Sequence, residues 1–374
     1  MKYTLNDSTV SPSKDILSEE SLNTIIEEID SSYNSCSKAI EAYNLVSNVK
    51  AMESFGYKAT EGLGEKLKAG AKIVWGKIKE FFKRIGKFFK KIYSKVKIKK
   101  TENELLIIEK KSNQLMNQQL ALPPAKTFET YSKLFDILKN PNEFNNKTSS
   151  YINNVKQFEK LIPECEKNLD LAWNAQNQIW KYDSENNRYN ASAGTPTGGS
   201  NAVTGAGSMS YDGYHKYLDE YKTKLHESVE KIKPSIQACS NAAQDIESYL
   251  KEIHEGGYKD VYVNDFVKEI KNVHIMAKSC RDVLTELIKG ENDRLCGMIL
   301  SLADRFESVN NLRDGIPTDT DLQRVVSDFG RELFKYVKDL GLTMISVERF
   351  SSLIRSNLEM FERNVLEAKN IQHE

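Results

Sequence analysis

No stretch of the chain approaches the roughly 20 consecutive apolar residues that a membrane-spanning helix requires. The opening run Met1-Lys2-Tyr3-Thr4-Leu5-Asn6-Asp7 lacks the apolar centre of a secretory signal, so classical secretion is not expected and a cytoplasmic origin is. Proline is scarce, at 8, and glycine modest, at 19 of 374 residues, which excludes collagen-like and wholly disordered classes. The five cysteines, at 36, 165, 239, 280 and 296, form no CxxC pair and sit among apolar neighbours, as reduced core residues do. Neither His215 nor His274 has a ligand-type partner three or four residues on, and His226 stands well apart from His254, so no metal site is expected.

Catalytic signatures are missing as well. The chain contains no G-x-S-x-G, no H-E-x-x-H, no Walker A loop and no strand-borne G-x-G-x-x-G. Gly62-Leu63-Gly64-Glu65-Lys66 lacks both the preceding strand and the following GK[ST] of a phosphate loop. Acid pairs such as Glu19-Glu20, Glu27-Glu28 and Asp319 with Asp321 fall where solvated helix faces or first turns place them. The expectation is a protein that is not an enzyme and needs no cofactor.

Strict alternation of apolar and polar residues is almost absent too, the best case being Val261 and Val263 beside a Gly-Gly turn. What remains is helical periodicity, and the predicted fold is all-α: elongated helices and a carboxy-terminal helical bundle. Leu22, Ile26, Ile29, Tyr33, Cys36, Ile40 and Tyr43 step by four and three along a first helix. Five segments follow from composition: an acidic helical segment over 1–53, a basic amphipathic helix over 54–100, a helical region over 101–183, a Gly/Ser/Asn-rich linker or surface loop over 184–213, and a bundle over 214–374. In the third, a helix from about 102 to 120 stops at Pro123-Pro124, and Phe128, Tyr131, Leu134, Phe135 and Leu138 mark another ending at Asn140-Pro141. In the last, helices are expected over about 263–289, 292–312, 319–339 and 342–370.

The formal net charge of zero hides a polarised chain. Residues 66–100 hold 14 Lys or Arg against the single acid Glu80, a local charge of +13, while residues 1–53 carry −5. Within the basic block Leu67, Ala71, Val74, Ile78, Phe81, Ile85, Phe88, Ile92 and Val96 repeat at helical spacing, widened by Trp75, Phe82, Phe89 and Tyr93. The spacing predicts one long helix with an apolar face of Val74, Trp75, Ile78, Phe81, Phe82, Ile85, Phe88, Phe89 and Ile92. Lys72, Lys77, Lys79, Lys83, Arg84, Lys87, Lys90, Lys91 and Lys95 supply its cationic contacts. Gly70, Gly76 and Gly86 each cost about 1 kcal/mol relative to alanine, so its helicity depends on docking. Three uses fit such a segment: neutralising nucleic-acid phosphates, lying on an anionic membrane with lysines snorkelling, or packing its apolar face into a protein core with the lysines solvated.

The runs Met52-Glu53-Ser54-Phe55-Gly56, Gly62-Leu63-Gly64-Glu65-Lys66-Leu67-Lys68 and Trp75-Gly76-Lys77-Ile78-Lys79-Glu80-Phe81-Phe82-Lys83 resemble the internal head, or prohead core, proteins of large tailed bacteriophages. The resemblance covers about residues 50 to 95, an eighth of the chain. It implies an acidic propeptide that masks the basic stretch until the prohead protease cuts after Glu53, with Ala51, Met52, Glu53 and Ser54 as the processing site. Ala51-Met52-Glu53 has the small-x-Glu form, while Leu17-Ser18-Glu19 and Leu63-Gly64-Glu65 match the form with a larger aliphatic residue. It further implies capsid or other virion proteins and DNA as partners, and a place in the phage head or the host cytoplasm. The second reading is a membrane-active, toxin-like or ejected helical protein whose segment 67–96 binds anionic lipid.

Overall fold

Apolar residues recurring every three and four positions can be hidden only if each helix turns that stripe toward its neighbours, and this governs the whole architecture. The computed structural model describes residues 19–54, 63–92, 95–117, 127–177, 180–183, 188–191, 208–289, 292–305 and 320–371. In chain order these form α1 (Glu19–Ser54), α2 (Leu63–Ile92), α3 (Lys95–Met116), β1 (Thr127–Tyr131), α4 (Ser132–Lys139), α5 (Asn142–Asn177) and the short strands β2 (Trp180–Asp183), β3 (Arg188–Ala191) and β4 (Ser208–Ser210). Then come α6 (Tyr211–Glu255), β5 (Tyr258–Tyr262), α7 (Val263–Lys289), α8 (Asn292–Arg305) and α9 (Thr320–Ile371). The fold is all-α in character, with one contiguous hydrophobic core running through α1 to α9.

Long antiparallel pairs make up the frame. Asn154 donates to the Ala238 carbonyl and Asn168 to the Ser228 hydroxyl, tying α5 to α6 in opposite directions. Arg281 grips Glu109 through Nε at 2.5 Å and a second guanidinium nitrogen at 3.1 Å, joining α7 to α3. The 52-residue α9 threads between these pairs. It bonds α3 through Lys111–Glu362, β1 through Thr130–Asn357 and α8 through Tyr336–Asn292. Ser240 of α6 donates to the buried Asp339 of α9. Burial raises the Asp339 carboxyl above its usual range, against the pull of that bond. The folded state therefore holds this proton more tightly than the unfolded one, and the group's contribution to stability declines as pH rises through the interval between the two values.

Several boundaries differ from the sequence reading, each for a local reason. The basic segment is two helices, since α2 ends at Ile92 and Lys95 opens α3. Phe128 and Tyr131 lie in a strand, not a helix. Thr127–Tyr131 pairs antiparallel with Tyr258–Tyr262, setting Phe128 opposite Val261, and the Phe128 ring packs edge-on against Phe266 at 5.1 Å. Gly257, at φ 63°, makes the turn into β5 that a side chain resists. The region 184–213 reads from composition as a flexible linker or long surface loop. In its described parts, β3 pairs with β2 and β4, and α6 already begins at Tyr211. α5 runs through Pro163 and α6 through Pro234, each giving up one ladder bond inside a long helix. The expected break near 340 is also absent, because α9 continues through Gly341. A Cβ at that position stands 2.7 Å from Ile92 Cδ1, so the glycine serves close helix approach and not termination.

Gly330 plays the same part: its Cβ position lies 2.8 Å from the Phe81 ring and 2.9 Å from the Phe82 ring, both fully buried. At Gly76 nothing lies within 4 Å. Gly330→Ala is expected to destabilise the protein by about 1–3 kcal/mol through overpacking. Gly76→Ala is expected to stabilise it by about 0.5–1 kcal/mol through helix propensity. Urea denaturation of the two variants checks this, and shifts of the same sign would contradict the helix packing described.

Candidate polyanion-binding face

At 3.6 residues per turn, the buried apolar positions of α2, from Val74 to Ile92, fall within an arc of about 140°, and the lysines fill the opposite arc of similar width. Three helices close the apolar side. α1 runs antiparallel along one margin: Tyr43 abuts Gly70, the Tyr33 ring meets Phe81 at 5.6 Å, and Glu28 faces Arg84 at 3.5 Å. α9 covers the middle, with Gly330 against Phe81 and Phe82, Phe334 against Phe88 at 6.2 Å and Gly341 against Ile92. α8 covers the other margin, where a Cβ on Gly86 reaches within 2.4 Å of Leu300. All nine expected face residues, Val74, Trp75, Ile78, Phe81, Phe82, Ile85, Phe88, Phe89 and Ile92, are at most 5% exposed. Of the three uses weighed for this segment, core packing is where the apolar face stands.

On the opposite arc Lys72, Lys77, Arg84, Lys87, Lys90 and Lys91 are exposed, and Lys79 and Lys83 half-buried. The side chain of Lys95 lies outside the described residues. Arg84 pairs with Glu28, and Lys79 is engaged with a neighbour. Among the described residues no carboxylate pairs with Lys72, Lys77, Lys83, Lys87, Lys90 or Lys91. Glu80 sits exposed amid them as the one acid of the stripe. Lys99 and Lys100 on α3 are exposed as well. Unbalanced like charge of this density is unfavourable within the protein and favourable toward an external polyanion.

In its described part, from Glu19 on, the acidic segment does not blanket this surface. α1 lies at its edge, and the Arg84–Glu28 contact, between two largely exposed side chains, contributes at most about 1 kcal/mol. Of the expected processing site, Ala51 to Ser54 form the last turn of α1, with helical backbone throughout. Leu17, Ser18, Phe55, Gly56 and Gly62 lie outside the described residues.

One further polar place, missed in the sequence, is a small cleft between α1 and α9 lined by Tyr33, Ser37, Ile40, Glu41, Arg324, Ser327 and Asp328. The Tyr33 hydroxyl donates to Asp328 at 3.1 Å, and Arg331 lies 4.9 Å over its ring. Burial, and then Asp328, push the Tyr33 hydroxyl pKa up. These bonds lock α1 to α9. The thiols of Cys36, Cys165 and Cys239 are pushed up to about 12 by burial, and that of Cys280 is raised too, as core cysteines require. Among the described residues no group of three or more His, Cys, Asp or Glu is placed to hold a metal ion, and no helix is long and apolar enough to cross a membrane.

No known protein family and no solved structure matches the chain. Reticulocyte-binding protein 1 of Plasmodium vivax (strain Belem) is 26% identical over 162 residues, which is 41% of this chain and 6% of that protein. The chain thus spans a small fraction of that protein's length, and the likeness assigns no residue a role.

Phe82→Ala is expected to cost about 3–5 kcal/mol, the range for emptying a buried phenylalanine site. Lys87→Ala on the other arc is expected to stay within about 0.5 kcal/mol. Thermal and urea unfolding distinguish them; similar small effects for both would mean that the aromatic face is not part of the core.

Proposed function

We propose that this chain is a non-enzymatic internal component of a tailed-phage head, whose α2 stripe lies against packaged DNA. One observation carries the reading: a helix whose aromatic side is consumed by the core keeps six lysines, five exposed and Lys83 half-buried, without acidic partners among the described residues. The resemblance of residues 50 to 95 to prohead core proteins supplies the setting. Lipid use of α2 is disfavoured, because Trp75, Phe81, Phe82, Phe88 and Phe89 must first leave the core. Each Phe-sized side chain bared costs about 1.5–3 kcal/mol.

Processing after Glu53 carries a structural consequence. It severs α1 from the chain, and with it the buried Leu22, Ile29, Cys36, Ile40 and Tyr43. At about 1.5–3 kcal/mol for each larger aliphatic side chain, that loss rivals the 5–15 kcal/mol that holds a typical domain folded. A cut chain keeps this fold only while α1 stays docked. Mass spectrometry of purified virions tests the reading. The expected result is the protein inside the capsid with an amino-terminus at Ser54; absence from virions, or recovery only from host membranes, contradicts it.

A further inference from the structure

We infer that the α2 stripe recognises the phosphate backbone of double-stranded nucleic acid by charge alone, without reading base edges and without stacking on bases. This rests on the polyanion reading above and specifies its ligand. The first support is compositional. From Leu63 to Ile92 there is no Ser, Thr, Asn, Gln or His, and the one Arg is Arg84. Base readout in a groove uses Arg or Lys on guanine and Asn or Gln on adenine; the stripe has no Asn or Gln, Arg84 is turned to Glu28, and lysine alone addresses no base but guanine. Lysine offers a mobile point charge, suited to phosphate oxygens and poor at discriminating bases.

The second support is burial. Sequence-tolerant binding of single strands uses aromatic side chains as stacking platforms. Every aromatic ring of α2 is at most 2% exposed, so the stripe has none to offer. What it presents is a broad band of ammonium groups from Lys72 to Lys91, about 28 Å long at 1.5 Å per residue. A duplex provides the matching ligand, a rigid polyanion carrying one charge per about 1.7 Å, and about 8 base pairs span that length. A flexible single strand has a lower charge density and gains nothing here from its exposed bases.

The test uses the full chain and fluorescence anisotropy. The probes are two unrelated duplexes of about 20 base pairs, a single strand of equal length, and vesicles of phosphatidylglycerol with phosphatidylcholine, titrated with KCl. Six unpaired lysines give an expected slope of log K against log salt of about −5 for duplex, with the two duplexes bound within about twofold and the single strand more weakly. Replacing Lys87, Lys90 and Lys91 together by Ala should flatten the slope by about 3 without changing the melting temperature. Glu80→Gln, which removes the one opposing charge, should tighten binding. Tenfold preference for one duplex, or tighter binding of the single strand, overturns the charge-only inference while leaving a cationic nucleic-acid face intact. Failure to bind either nucleic acid at low salt, or binding to the vesicles alone, overturns both it and the reading on which it rests.

Discussion

Burial of the aromatic side of α2 is the interaction on which the other features depend. Its sequence is a poor isolated helix, with four glycines and ten basic side chains between Leu63 and Ile92. Two of those glycines become assets once the helix is docked, since Gly70 admits Tyr43 and Gly86 admits Leu300. The partner helix answers in kind, with Gly330 and Gly341 of α9 receiving Phe81, Phe82 and Ile92. Helices that approach this closely exclude water from both faces and fix the rotation of α2 about its own axis. Fixing that rotation is what aims the lysines outward as a single stripe.

The same constraint links fold to function. A helix that could roll would expose rings or bury ammonium groups; one clamped by α1, α8 and α9 can do neither. α1 contributes through Tyr33, which packs on Phe81 and bonds Asp328 of α9, so it behaves as part of the clamp. Of its acids, Glu28 lies beside the stripe, against Arg84. The candidate surface is therefore the remainder of a packing solution: the part of α2 that no described helix covers.

Much of this was legible in the residues. Of the stripe Leu22, Ile26, Ile29, Tyr33, Cys36, Ile40 and Tyr43, five residues lie buried and Ile26 and Tyr33 half-buried, and the two faces of α2 separate as its pattern foretells. What covers the aromatic face was not legible, because lipid and core demand the same amphipathic sequence, and the deciding partners, Leu300, Gly330 and Gly341, stand more than 200 residues away in the chain. The break expected between 339 and 342 is absent for a related reason: Gly341 lets Ile92 approach, and that neighbour stands far away in the chain. Phe128 and Tyr131, three residues apart, suit a helical stripe, and only the pairing of Thr127–Tyr131 with Tyr258–Tyr262 resolves them into a strand. The candidate surface was found by charge density.

Native-state hydrogen exchange along α2 measures the clamp directly, because an amide in a docked core helix exchanges only when the structure opens. Amides from Ile78 to Ile92 should exchange with an opening free energy close to that of global unfolding, although half of the helix surface is lysine-covered and open to solvent. Rapid exchange across this stretch while α5, α6 and α9 remain protected would show that α2 is not held by its aromatic face, and the account would fail.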